Sequence, residues 1–222
     1  MSCKKENDNQ TIKKVNLADH WSTVYAKTST DKLGWYEEVS APTLELIKET
    51  KIPLNAKILN VGAGSSKIID DLVALGYSNI IASDLSLVAL DSIKDRLAKN
   101  AKNVEFIVDD LTNPTKLTQL KKVDVWNDRA VLHFFISEKD RTAYFNLLRN
   151  VVAINGYVII AAFAIDGAQK CCGLDVRRYN SEMLQESLGE DFKLERAFEY
   201  IYINPGGNEK PYIYTLFKRI NT

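Results

Sequence analysis

The sequence is poor in the features that mark specialised protein classes. Three cysteines in 222 residues, Cys3, Cys171 and Cys172, make no disulfide framework, and the two adjacent ones rarely bridge each other. That usage suits a reducing compartment, so a cytoplasmic location is expected. Only two histidines occur. They stand far apart and no cysteine or histidine pair has zinc-ligand spacing, so no metal site is expected. Charge of one sign is not in excess, with 29 Lys and Arg against 29 Asp and Glu. No global positive field exists to draw in nucleic acid, and no nucleic-acid partner is expected. No apolar run reaches the roughly 18 residues of a membrane span, which excludes a spanning helix and a membrane partner of that kind. The opening residues are polar and lack the apolar middle of a secretion signal, so residues 1–15 read as a disordered tail. A Gly-Lys-Ser/Thr phosphate loop is also missing.

What is present is alternation. Residues 17–50 look helical in pieces, with Pro42 able to open a helix near Thr43–Thr50. Strand patterns at Lys57–Val61, Ile80–Asp84, Val104–Val108, Val123–Asn127 and Gly156–Ala164 are then separated by helical patterns at Ser66–Leu75, Leu87–Asn100 and Glu138–Ala153. Such alternation predicts a parallel sheet with helices on both faces. The last third departs from it. After a helix at Ser181–Leu188, two β-rich runs, Phe192–Ile203 and Tyr212–Arg219, are joined by the turn sequence Asn204-Pro-Gly-Gly-Asn. A terminal hairpin predicts an antiparallel strand added to the sheet. With no repeats, low-complexity stretch or interior linker, residues 16–222 are expected to form a single α/β domain, with residues 16–50 as its helical cover.

One constellation carries chemistry. Residues 57–64, Lys-Ile-Leu-Asn-Val-Gly-Ala-Gly, run a strand into a glycine turn, and Asp84 ends the next strand twenty residues after the turn. Glycines permit close backbone approach to a ligand, and a carboxylate at that position accepts hydrogen bonds from ribose hydroxyls. The dinucleotide fingerprint needs a third glycine, but position 67 is Lys. A nucleoside ligand without phosphate therefore fits better than NAD.

Residues 57–64, Asp84, Val108-Asp-Asp110 and Val123–Arg129 resemble the successive motifs of class I S-adenosylmethionine-dependent methyltransferases. A narrower likeness is to small bacterial methyltransferases with Asp-Arg-Ala-x-x-His-Phe and Cys-x-Gly-Leu segments, here from Asp128 and from Cys171. The resemblance implies a Rossmann-like, seven-stranded, mostly parallel sheet whose last strand is antiparallel. It also implies S-adenosyl-L-methionine as cofactor. On the matching positions it places Gly62 and Gly64 against the cofactor, Asp84 and Leu85 at the ribose, and Asp110 and Leu111 at the adenine. Asn60 stands where the family usually carries a carboxylate, and Asn127 where relatives often have His. Trp21, Tyr25 and Trp35 match an aromatic opening that closes over the cofactor in small protein-lysine methyltransferases.

Each residue also has a plainer reading. Asp84 would serve as a helix N-cap, a role open to Ser86 as well. Trp21, Tyr25 and Trp35 would anchor an amphipathic cover helix, which is compatible with cofactor contact. Asp128 is the first candidate base and His133 the second, with a structural histidine as the alternative for the latter. Cys171 and Cys172 read as small apolar thiols in a buried loop ahead of substrate contacts. The expected activity is methyl transfer to a nucleophile on a small molecule. Protein lysine is the alternative acceptor, and a cofactor-binding scaffold or sensor is the alternative of another class. The oligomeric state is not legible.

Overall fold

The structure, a computed structural model, describes residues 16–221. The expected N-terminal tail, residues 1–15, lies outside the described residues. Helix α1 (Leu17–Lys27) is opened by Asn16, whose side chain accepts from the backbone N–H of Ala18 and Asp19. Helix α2 (Ala41–Thr50) has Pro42 in its first turn, where the missing N–H costs nothing, and closes on Lys51 in the left-handed region. Then the alternation begins: β1 (Lys57–Val61), α3 (Ile68–Ala74), β2 (Asn79–Asp84), α4 (Leu87–Leu97), β3 (Val104–Val108), β4 (Val123–Arg129), α5 (Glu138–Val151) and β5 (Val152–Phe163). A two-residue ladder, β6 (Lys170–Cys171) with β7 (Leu174–Asp175), precedes α6 (Ser181–Leu188), β8 (Phe192–Ile203) and β9 (Glu209–Arg219).

The main sheet has seven strands in the order β3-β2-β1-β4-β5-β9-β8. Strands β1 to β5 pair in parallel, while β9 is antiparallel to both β5 and β8. The expected mostly parallel sheet with an antiparallel C-terminal strand is thus what forms. Differences are local. Helix α4 stops at Leu97, where Ala98 takes φ 50° and the chain tightens into a 3-10 turn. Strand β4 continues two residues past Asn127, which brings Asp128 and Arg129 into the sheet. The β6–β7 hairpin had no signal in the hydrophobic pattern because each strand is only two residues long.

Strand order reverses between β1 and β4, and the crevice outside the carboxyl ends at such a reversal is where α/β sheets bind ligands. Period-2 alternation sorts the strand side chains between two cores. One holds Leu59, Trp126, Val158 and Ile160 against α5 and α6. The other holds Ile58, Ile80, Val125 and Ile159 against α2, α3 and α4. Within the first core Trp126 Nε1 donates to Tyr144 Oη at 3.1 Å, and Tyr144 Oη donates to Asp128 Oδ2 at 2.6 Å. The two rings meet edge to face at 5.3 Å between centroids. Asp128 also accepts from the N–H of Val131 at 3.0 Å and of Leu132 at 3.1 Å, so it holds the loop after β4 in place.

Removing the Tyr144 hydroxyl leaves the Trp126 N–H without its acceptor and takes one donor from the buried carboxylate. Tyr144→Phe is expected to cost about 1–3 kcal/mol of unfolding free energy in urea titrations. A variant as stable as the wild type would show that the network contributes nothing.

Candidate active site

The glycine turn sits at the carboxyl end of β1, with Gly62 at φ 54° and Gly64 at φ 53°. Both positions are also crowded. A Cβ at Gly62 would stand 2.2 Å from Val131 Cγ2, and one at Gly64 would stand 2.4 Å from Tyr25 Oη. Glycine is thus required twice over, by backbone conformation and by close approach. The turn is tied to β2 by two bonds. Ala63 N–H donates to the Ser83 carbonyl at 2.9 Å, and Gly64 N–H donates to Asp84 Oδ2 at 2.8 Å. The other oxygen, Oδ1, accepts from Ser86 N–H at 2.8 Å. Asp84 does not cap α4; Ser86 does, accepting from Ala89 N–H. Burial drives the Asp84 carboxyl up to about 6, against the opposing pull of the Ser86, Gly64 and Leu85 amides.

A cavity of about 280 Å³ opens over this turn. Gly62, Asp84, Leu85, Asp110 and Leu111 line one half of it, and Asp109 borders it as well. The two neighbouring aspartates divide their work. Asp109 spends its carboxylate on its own loop, accepting from Thr115 and Leu117 N–H, and Asp110 keeps Oδ2 free while Oδ1 takes Thr112. Gly64 meets the cavity through Tyr25, which covers it.

The roof is aromatic. Trp21, Tyr25 and Trp35 all line the cavity, with Trp21 edge-on to Trp35 at 5.7 Å and to Phe134 at 4.9 Å, and Tyr25 edge-on to Trp35 at 5.9 Å. Helix α1 is pinned there by Ser22 Oγ donating to Ser86 Oγ at 3.1 Å. The Tyr25 hydroxyl is pushed well above its ordinary value, by burial first and by the Asp84 charge second.

Besides Gly64, three expected site residues do not line the cavity. Asn60 and Asn127 face the second core from adjacent strands, where Asn127 Nδ2 donates to Asn60 Oδ1 at 2.7 Å. They reach the site only through the backbone they stiffen. Asp128 is fully buried on the opposite face, with its oxygens committed to Tyr144, Val131 and Leu132. Burial pushes it up to about 7 despite those donors, and Asp128 is not among the residues that line the cavity. The expectation of Asp128 as base is therefore corrected: strand alternation turns its side chain away from the neighbours that face the ligand edge.

His133 is in the cavity. It is buried, stacked on Phe163 at 4.5 Å with planes 2° apart, and neither ring nitrogen has a partner among the described residues. Burial lowers it to about 3, helped by the Arg129 charge, so the imidazole is neutral at physiological pH. Arg129 is a residue that the sequence reading passed over. Its guanidinium donates to Tyr214 Oη at 3.0 Å and to the Trp35 carbonyl at 2.9 Å, and lies 3.0 Å from Glu37 Oε1. It packs 5.1 Å from the Tyr202 ring centroid and 5.4 Å from that of Tyr212. Burial works against this cation, but Tyr214, Tyr212 and Glu37 outweigh it and hold Arg129 above its ordinary value. Arg129 thereby fastens the Trp35 end of the roof to the sheet.

A family model described as a methyltransferase domain matches residues 58–156. That segment contains the glycine turn, Asp84, Asp110 and His133. Residues 58–156 thus carry a methyltransferase domain. Among curated proteins it is similar to EEF1A lysine methyltransferase 2 of Mus musculus, 27% identical over 162 residues, which are 67% of this chain and 66% of that protein. The Homo sapiens protein of that name is 25% identical over 67% of this chain and 68% of its own length. Among solved structures, a SAM-dependent methyltransferase from Anabaena variabilis superposes with a TM-score of 0.74 at 17% identity, covering 93% of this chain and 96% of that one. The 1,6-didemethyltoxoflavin-N1-methyltransferase of Burkholderia thailandensis, solved with S-adenosylhomocysteine bound, gives 0.68 at 16% identity over 92% and 88%. These likenesses bear on the fold.

The residues of the cavity fit S-adenosylmethionine. The cavity places carboxylates with open lone pairs, Asp84 and Asp110, where a nucleoside presents donors, and an aromatic roof where a sulfonium cation needs π faces. Cradling glycines admit no Cβ at either turn position.

The state of His133 sets a pH dependence. Its unfolded imidazole titrates near ~6.5 and its folded one near 3. Between those values the unfolded chain binds the extra proton, so stability from His133 is full above the unfolded value and is lost as pH falls. The loss is up to about 1.4 kcal/mol per pH unit. Urea unfolding at pH 7 and pH 5 is expected to show a smaller drop for His133→Phe than for the wild type. Equal drops would contradict a buried neutral imidazole.

Proposed function

We propose that the acceptor is a small-molecule nucleophile that enters beside His133, with the cofactor lying across the glycine turn. Asp84 and Leu85 would hold the ribose, and Asp110 and Leu111 the adenine. Trp21, Tyr25 and Trp35 would close over the sulfonium end. When bound, S-adenosylmethionine supplies an electrophilic methyl group on a good leaving group. The residues then have three tasks: to align the nucleophile, to keep water out, and to leave the acceptor's proton a place to go. The first two rest on proximity and desolvation, which the enclosed aromatic roof favours. For the third, neutral His133 offers an unpartnered ring nitrogen as hydrogen-bond acceptor. Its lowered basicity makes it a positioning group for the incoming nucleophile rather than a strong base. Residues 16–222 would work as one domain with residues 16–50 as the cover.

The observation that carries this reading is the cavity itself, lined by Asp84 and by His133, whose ring nitrogens have no partner among the described residues. Protein lysine is kept as the second reading because of the similarity to the mouse EEF1A lysine methyltransferase 2. A scaffold or sensor is the third, motivated by Asn60 in place of a carboxylate.

S-adenosylhomocysteine released in excess of enzyme with a panel of small thiols, phenols and amines is the expected outcome of a turnover assay. Labelled methyl on protein bands in a lysate would favour the lysine reading, and binding without turnover on any acceptor the scaffold reading. For the cofactor site, Asp84→Ala is expected to weaken S-adenosylhomocysteine binding by about 1–3 kcal/mol in calorimetry. Unchanged affinity in a folded variant would remove Asp84 from the site.

A further inference from the structure

The cavity is electrically lopsided. Along the carboxyl edge its acidic lining residues, Asp84, Asp109 and Asp110, all belong to the ends of β2 and β3. The other half is built from the ends of β4 and β5, the β6–β7 hairpin and the start of β9, and no carboxylate lines it among the described residues. Its cations differ in how they are answered. Arg129 faces Glu37 at 3.0 Å, and Lys170 faces Asp175 at 3.3 Å. Lys210 lines the same half and makes no ion pair among the described residues.

The register explains why Lys210 arrives there. Tyr212 pairs with Phe163 at the carboxyl end of β5, and two residues earlier on antiparallel β9 the same face carries Lys210 over the rim. The lysine meets the two thiols of the hairpin. Cys172 is held below its ordinary value by the hydrogen bond from Cys171, against burial, with Lys210 assisting. Deeper in, His133 presents its unpartnered nitrogens among Phe134, Phe163 and Tyr212.

We propose that the acceptor half takes a small, mainly apolar molecule that carries an anionic group, bound by Lys210, with its protic nucleophile hydrogen-bonded to His133. This deepens the small-molecule reading above and rests on it. A protonated lysine side chain is the wrong guest for the same pocket. It would enter beside an unanswered ammonium, with no carboxylate to receive it, and like charges in a partly desolvated site repel strongly.

A matched set of ligands tests it. 4-Hydroxyphenylacetate, 4-hydroxyphenethyl alcohol and tyramine share one phenol ring and differ in a carboxylate, a hydroxyl or an ammonium. Calorimetry on the full chain saturated with S-adenosylhomocysteine is expected to show the carboxylate binding at least about ten-fold tighter than the amine, with the alcohol between. Lys210→Glu and the uncharged Lys210→Met are each expected to remove that preference, and S-adenosylhomocysteine titrations report that their cavities are intact. Equal or tighter binding of tyramine, no binding of any of the three, or a carboxylate preference that survives both variants would overturn the proposal. If the wild type fails to bind S-adenosylhomocysteine, the methyltransferase reading falls and this inference with it. If it binds and prefers the amine, only the inference falls.

Discussion

A buried carboxylate joins the two strands on which the site is built. Asp84 accepts from Gly64 N–H with one oxygen and from Ser86 N–H with the other, each at 2.8 Å. One side chain thus fixes the left-handed glycine turn after β1 and the entry to α4 after β2. Those two bonds do not exhaust a carboxylate, which has about four acceptor directions. The remaining ones are turned toward the cavity, and burial has already raised the proton affinity of the group. Donors on a ligand would relieve part of that desolvation. The structural role of Asp84 therefore leaves room for the proposed binding role, since the amides that hold it in place also aim it.

Around that anchor the fold separates chemistry by strand end. Acidic acceptors gather at β2 and β3, aromatic π faces come from α1 and the segment before α2, and Lys210, without an ion pair among the described residues, arrives on β9. Arg129 links the regions. It donates to the Trp35 carbonyl in the roof and to Tyr214 on β9, and it pairs with Glu37, so the cover is held to the sheet by a charged group and not by apolar contact alone. Breaking a buried pair of this kind costs far more than forming it contributes, because the partner is left uncompensated.

Much of this was legible before any coordinates. Strand periodicity and the twenty-residue interval from the glycine turn to Asp84 are local signals, and they located the turn and the carboxylate at the end of β2; Asp110 came from the resemblance. Strand alternation applied to β4 would have cautioned against Asp128, which was chosen for its place at the end of the strand and not for the face its side chain takes. Its true partner, Tyr144, lies on α5 and is identified only by packing. Asn60 and Asn127 were assigned by position in the motif, and their mutual hydrogen bond across β1 and β4 depends on which strands are neighbours. Arg129 and Lys210 were missed for the same reason. Arg129 meets Tyr214 and Trp35 across 85 and 94 residues of chain, and Lys210 reaches the rim through an antiparallel register that no local pattern encodes.

The central physical claim is that the crevice between the glycine turn and Asp84 is shaped for a nucleoside without phosphates. Helix α3 begins only at Ile68, Lys67 occupies the place of a third glycine, and the roof closes over the turn where a pyrophosphate would lie. Calorimetric titration of the full chain with S-adenosylhomocysteine and, separately, with NAD tests this most directly. Stoichiometric binding of S-adenosylhomocysteine with no detectable heat from NAD is the expected result. Binding of NAD in competition with S-adenosylhomocysteine, at equal or higher affinity, would contradict it.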